Sequence, residues 1–511
     1  MVSWMVSHKP GVGAVMKVTK YDADWPLDIP NTDFKRFYFN SETSNLSYPW
    51  THFQFGPINK TVYPNGLHQL STGGLTTAQW VMESYVNGSG SNVYSVFYLV
   101  GRVPDLGIIP MVETRIVGTD NSVKIYDNYP TTTTNGWITA ITNNAVIAQV
   151  RPYTGDQGHV SYARIPAEFG YTGWAVRPHT GGSGYAAEIV GDYNFMTSMI
   201  WDLPADNTPI PNPTATPVSG QIMFEASPNG VKLARPGYDI RTASGRQLIM
   251  DSDRTPIKCV MMGETPAIAP GTSYFVAKPT SIDFDLSPSM VCDTICSLNG
   301  WGFAIPPVNL NTGFDEQQTW AYYRVEQGGI RFSVVGTHSV AIRFMLYATG
   351  IQGRTSGGSA VIRKVEGQYL QVKSPGSSDV APGYNDILLD TRFAAVTVLA
   401  EGYIPASSFS AANQVHWRYG NIAARINFDS QGLFVFPKVI VDFGDMFRQG
   451  NHTMYLSPGG GVEVLRHSMA TVVNSDHCIV HISPGNSAGP GVTGFPDPVG
   501  VRYYILGATT L

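Results

Sequence analysis

One stretch of this sequence occurs more than once. That constrains the fold more than any other property, because a repeated segment is a repeated structural unit. It runs from Arg235-Pro236-Gly237-Tyr238-Asp239 through Leu248-Ile249-Met250-Asp251-Ser252-Asp253 to Gly263-Glu264-Thr265-Pro266. An ungapped shift of 139 residues (375 − 236) places Pro236-Gly237 on Pro375-Gly376 and Ile249-Met250-Asp251-Ser252 on Leu388-Leu389-Asp390-Thr391. It also places Ile257 on Val396, Cys259-Val260 on Val398-Leu399, and Gly263 and Pro266 on Gly402 and Pro405. A looser copy opens the chain, with Lys17-Val18-Thr19-Lys20-Tyr21-Asp22 followed by Phe37-Tyr38-Phe39-Asn40-Ser41-Glu42.

Each copy reads as three short strands. A Lys-bearing extended segment leads into a Pro-Gly turn in the second and third copies. An apolar run then stops at Asp-Ser, Asp-Thr or Asn-Ser, whose short polar side chains hydrogen-bond the backbone and close a turn. A β-branched run follows and stops at Gly263 or Gly402. This is the grammar of a small antiparallel sheet, and the repeated residues are expected to make turns and core.

The phrase Gly245-Arg246-Gln247-Leu248-Ile249-Met250-Asp251-Ser252-Asp253-Arg254 resembles a strand-turn-strand segment of tail-tip and minor tail proteins of tailed bacteriophages. The third copy has Asp-Thr-Arg and the first Asn-Ser-Glu where the middle one has Asp-Ser-Asp. The resemblance implies a virion tail component built of repeated β-modules, assembled in the host cytoplasm. It also implies other tail or baseplate proteins as partners and a homo-oligomer, a trimer being favoured. It assigns no functional residue.

Composition agrees with an all-β chain. Charged residues are only 14% and Gly and Pro number 53 and 35, which means many turns, while 43% hydrophobic residues are ample for packed cores. At 511 residues several domains are expected. The formal net charge of −5 gives no general affinity for nucleic acid. No apolar run of membrane-spanning length occurs, and Met1 to Pro10 lacks the apolar core of a secretory signal. Four cysteines, Cys259, Cys292, Cys296 and Cys478, are too few for a disulfide framework at this length and are expected to be reduced and buried.

The expected organisation is a set of tandem antiparallel β-sandwich-like units with an inserted β domain. A first β-unit spans 1–101, an aromatic-rich β domain 102–203, a Pro-rich linker 204–218, a second unit 219–352 and a third unit 353–511. The units are expected to end in comparable strands: Tyr94 to Gly101, Val340 to Ala348 and Val499 to Gly507. Arg343-Phe344 and Arg502-Tyr503 strengthen the match between the last two. Such a plan suits a sandwich whose first and last strands are neighbours. Glycine-proline loops in the last unit, around 457–461 and 483–492, are expected to serve as contact tips.

Residues 102–203 combine aromatic rings with planar hydrogen-bonding side chains, as a sugar or protein contact requires. Trp137, Tyr153, His159, Tyr171, Trp174 and Arg177 are the candidate binding residues, against packing in a β core as the alternative role. No phosphate loop, nucleophile elbow, zinc-protease or dinucleotide motif occurs. Cys292 and Cys296 have the spacing of half a zinc site, without a second pair of ligands nearby. His477 and His481 lie on an expected strand, where residues four apart stand roughly 13 Å from each other, too far for one ion. Asp283 and Asp285 form a local carboxylate pair, expected on one face of a strand about 7 Å apart; Asp442 and Asp445 form another.

The sequence therefore points to a structural virion component of a phage tail tip, baseplate or tail fibre that presents loops to the host. No catalytic residue, metal or cofactor is assigned. A carbohydrate-binding adhesin that meets host surface polysaccharide or a protein receptor is the first alternative. A polysaccharide-degrading β enzyme is the second, and a capsid decoration protein is a lesser variant of the structural reading.

Overall fold

In the computed structural model every regular element among the described residues is a β-strand, apart from single 3-10 turns at Phe34–Arg36 and Ala406–Ser408. The structure describes residues 3–43, 49–55, 66–70, 78–86, 92–101, 110–118, 122–125, 162–165, 173–176, 193–209, 216–244, 247–253, 257–298, 301–303, 320–336, 338–348, 354–394, 396–412, 421–442, 447–449, 468–483 and 498–508.

The chain begins with β1 (Trp4–Lys9), β2 (Gly13–Thr19) and β3 (Phe37–Asn40), a three-stranded sheet. Then come β4 (Pro49–Phe55), β5 (Gly66–Leu70), β6 (Ala78–Val86), β7 (Asn92–Gly101), β8 (Pro110–Gly118), β9 (Ser122–Ile125), β10 (Tyr162–Ile165), β11 (Gly173–Val176) and β12 (Tyr193–Pro204). A second three-stranded sheet is β13 (Phe224–Ser227), β14 (Gly230–Ala234) and β15 (Leu248–Asp251). It is followed by β16 (Cys259–Glu264), β17 (Ser273–Ala277), β18 (Val291–Leu298), β19 (Trp301–Phe303), β20 (Trp320–Glu326), β21 (Gly329–Val335) and β22 (Ala341–Tyr347). The third is β23 (Ile362–Val365), β24 (Tyr369–Lys373) and β25 (Ile387–Asp390). It leads into β26 (Val396–Pro405), β27 (Ser410–Ala412), β28 (Asn421–Asn427), β29 (Phe434–Asp442), β30 (Phe447–Gln449), β31 (Ser468–Val473), β32 (His477–Ser483) and β33 (Gly500–Ala508).

The three small sheets are one structure built three times. Ser41, Ser252 and Thr391 each accept a hydrogen bond through the side-chain oxygen from a backbone N–H of the middle strand, at Met16 (2.9 Å), Val231 (3.1 Å) and Leu370 (3.1 Å). Asn40, Asp251 and Asp390 each close the turn by accepting from the backbone N–H two residues on, at 3.0, 3.0 and 2.9 Å. A register shift occurs at the same point in each middle strand, at Val18/Thr19, Leu233/Ala234 and Val372/Lys373. The Pro-Gly turns of the second and third copies need left-handed glycines, and Gly237 and Gly376 have φ of 84° and 74°.

A three-stranded sheet alone cannot bury much, and these three bury one another. Met16 and Val18, Val231 and Leu233, and Leu370 and Val372 come from equivalent positions, and they meet Ile249, Met250, Leu388 and Leu389 in a single core. The repeat therefore closes on itself about a pseudo-three-fold axis, since equivalent apolar side chains from all three copies share one interior.

The larger sheets repeat as well, one after each small sheet. The opening strand pairs with the closing strand, the closing strand with a third, and the third with a fourth. The orders are β4-β12-β8-β9, β16-β22-β18-β19 and β26-β33-β29-β30. All three opening strands carry a register shift at one place, skipping Trp50, Val260 or Leu399. First and last strands are thus neighbours, as the repeat predicts. The closing position in the N-terminal part is held by β12, whereas Tyr94 to Gly101 lies within β7 in a different sheet. Residues 102–203 contribute β8, β9 and β12 to the sheet that contains β4.

A second sheet accompanies each of these: β10-β11-β7-β6-β5, then β20-β21-β17, then β31-β32-β28-β27. In the last unit the two sheets face each other across Val435, Val439, Val441, Val501 and Ile505 on one side and Ile426, Cys478, Val480 and Ile482 on the other. In the middle unit Val260, Cys292, Phe344 and Leu346 meet Tyr323, Val325, Ile330 and Phe332. Both are β-sandwiches. Successive units are stitched edge to edge. Strand β9 pairs with β20 (Val123 opposite Tyr323), making one seven-stranded sheet from two units. Strand β19 lies so close to β31 that a Cβ on Gly302 would stand 2.1 Å from the Thr471 carbonyl oxygen.

Candidate functional site

The described residues converge most strongly where the three units meet. On the closing strands Trp201, Tyr347 and Leu506 are equivalent by register, as are Met199, Met345 and Tyr504. The third strands place Glu113, Asp293 and Lys438 opposite those last three residues. Equivalent residues then touch across the axis. Trp201 packs edge to face on Tyr347 with centroids 5.7 Å apart. Lys438 Nζ lies 2.6 Å from Asp293 Oδ2, with both side chains 1% exposed. The same ammonium sits 4.1 Å above the Trp201 ring, so one cation engages the other two units at once. Tyr504 donates its hydroxyl proton to the Pro204 carbonyl at 2.7 Å, joining the third unit to the first.

The Arg-aromatic pairs of the closing strands serve the same purpose. Arg343 donates through Nε to the Val435 carbonyl at 2.7 Å and its guanidinium lies 4.2 Å from the Phe434 ring centroid. Arg502 donates to Tyr504 at 2.9 Å and approaches the Thr208 carbonyl at 3.5 Å. Both arginines therefore reach into another unit. Their aromatic partners face inward along the opening strand. Phe344 covers Gly263, and Tyr503 covers Gly402 so closely that a Cβ there would meet the ring. This is why the run of the third unit ends in glycine, while Gly263 has room for a Cβ at 3.6 Å from the Phe344 ring.

A second ionic cluster seats the third small sheet on the middle sandwich. Lys258 is fully buried and donates to the Ile387 carbonyl at 3.0 Å. Burial pushes its pKa down to about 7, against the upward pull of Asp386 and Asp390. Arg392 is buried as well, which disfavours its charge, yet Asp390 at 2.7 Å and Asp283 at 2.9 Å hold its pKa above the ordinary value. Asp390 also accepts from Gln371 at 2.5 Å. Asp283 and Asp285 are on a loop between β17 and β18, not on the expected strand, in a segment bounded by Pro279 and Pro288, which cannot donate to a ladder; Asp283 faces Arg392, and Asp285 lies 3.8 Å from Lys278. In the same way Thr43 of the first unit accepts from Thr397 of the third at 2.8 Å. The third small sheet thus rests on the second sandwich and the first small sheet on the third.

The remaining perturbed groups are also held by burial. Cys296 and Cys478 are pushed up to about 12, and Cys259 is raised further, so these thiols are inert as nucleophiles. His481 is pushed down to about 4 by burial. It lies on β32 with His477 at the strand's start, as expected, while His477 is partly buried and faces the exposed Asp476 at 2.7 Å. All four cysteines are reduced and buried. Among the described residues no group of three His, Cys, Asp or Glu side chains could hold a metal, and no helix is long and apolar enough to cross a membrane.

Of the candidate binding residues, Trp174 is on β11, opposite Arg164 on one side and Val100 on the other. Trp137, Tyr153, His159, Tyr171 and Arg177 lie outside the described residues, as do the loops 457–461 and 484–492 and Asp445. The axial set of Trp201, Asp293, Tyr347 and Lys438 has no signature in the sequence, because it is assembled from separate units. Compared with models of protein families, with curated proteins and with solved structures, the chain finds no match in any of the three.

Proposed function

We propose that this protein is a structural component of a bacteriophage virion, placed at the tail tip, baseplate or fibre, where its three units form one rigid pseudo-three-fold platform. The observation that carries this is the axial junction. Its buried ionic and aromatic contacts tie three units of one chain together, and the small sheets add a common core. The interior described is spent on holding units in register, which is the property a load-carrying virion part requires. The resemblance of the Gly245 to Arg254 segment to phage tail proteins supports the same reading. On it the partners are other tail proteins, the protein has no catalytic activity, and the loops beyond the sandwiches meet the host.

The test is immunogold labelling of purified virions with antibody against residues 219–511. Label at the distal tail is the expected result. Label on the head would move the protein to decoration of the capsid. Protein found only in the lysate, with no label on virions, would overturn the reading.

A further inference from the structure

The three units are not filled equally. In the last unit β28 has β32 on one side and β27 on the other, and in the first unit β7 has β11 on one side and β6 and β5 on the other. Chain order and pairing make β17 their equivalent in the middle unit. It pairs with β21 and ends the seven-stranded sheet. Among the described residues no strand occupies the place that β27 and β6 fill.

This edge is bare in composition too. Ser273-Tyr274-Phe275-Val276-Ala277 has no charge, no proline and no register shift. Tyr274 is 42% and Phe275 38% exposed, and Val335 on the adjoining strand is 37% exposed. An uncharged, regular edge strand is a template for another chain unless something blunts it.

We infer that β17 is an assembly surface and that its occupant is β17 of a second copy of this chain, paired antiparallel across a two-fold axis at Phe275. The strand is complementary to itself in that register. Tyr274 faces Val276 of the other copy, an aromatic against a β-branched side chain, and Ser273 faces Ala277, small against small. No charge opposes a like charge. Arg331, which lies 4.9 Å from the Phe275 ring, is ion-paired with Glu326 at 2.7 Å. The sheet already crosses from one unit to the next by antiparallel edge pairing of β9 with β20, and the two-fold contact continues it.

The test uses the full chain. Sedimentation over a concentration series is expected to show a dimer for the wild type and a monomer for Tyr274→Lys with the same melting curve. Val380→Lys, at a 91% exposed site in the loop between β24 and β25, is expected to leave the dimer intact. Phe275→Cys is expected to give a covalent dimer on mild oxidation, the native thiols being buried. A wild type that sediments as a monomer throughout, or an oligomer that Tyr274→Lys leaves unchanged and Phe275→Cys does not cross-link, would overturn the inference.

Discussion

Replacing Lys438 by methionine keeps an unbranched side chain one atom shorter and removes the cation from the centre of the molecule. At 2.6 Å the attraction between Lys438 and Asp293 is roughly 6 kcal/mol at an effective dielectric constant of about 20. Desolvation of each buried ion costs several kcal/mol, so the intact pair is close to neutral for stability. The single substitution is another matter, because it leaves the Asp293 carboxylate 1% exposed without its counter-ion and takes the ammonium off the Trp201 ring. Lys438→Met is therefore expected to lose about 3–5 kcal/mol. Adding Asp293→Leu removes the stranded charge and is expected to restore most of that loss. Equilibrium denaturation of the full chain, followed by near-ultraviolet circular dichroism, measures all four members of the cycle. A single-variant loss below about 1 kcal/mol, or a double variant as unstable as the two single losses added, would refute the reasoning.

Three further outcomes are expected. Ser41→Ala, Ser252→Ala and Thr391→Val each strand one backbone N–H at the same point of the fold, and each is expected to cost about 1–3 kcal/mol in denaturant midpoint comparisons, alike in size. Gly402→Ala is expected to lower the melting temperature more than Gly263→Ala, since the added Cβ meets Tyr503 Oη at 2.5 Å but Phe344 only at 3.6 Å. His481 is kept neutral in the fold down to about pH 4 but protonates near its ordinary value of 6.5 when unfolded. Its contribution to stability is thus full above pH 6.5 and falls between 6.5 and 4, by up to about 3 kcal/mol; His481→Gln is expected to flatten the acid limb of stability against pH.

Local chemistry was readable from the sequence. The hydroxyl-bearing turns, the Pro-Gly turns and the terminal glycines of the opening strands all derive from residues a few positions apart. The closing strand of the first unit did not show itself, and the register explains why. Where the later units set Gly263 opposite Phe344 and Gly402 opposite Tyr503, the first sets Phe53 opposite Ser198. The large and small partners have exchanged strands, and Thr197 stands where the others have Arg343 and Arg502. A cross-strand volume can be conserved while both residues change, and no linear comparison detects that. The axial pair Asp293 and Lys438 was hidden for another reason. It links strands of different units, and a strand's own pattern records which face is buried but not what it is buried against.

The axis of this molecule permits something a true three-fold assembly does not. Three identical subunits must present the same residue to the centre, so an axial aspartate would face two more aspartates and an axial lysine two more lysines. With the copies joined in one polypeptide, each has been free to change alone, and the position now carries Glu113, Asp293 and Lys438. Opposite charges can then meet where symmetry would have forced repulsion. The same freedom lets a single lysine serve the second unit's aspartate and the first unit's tryptophan together.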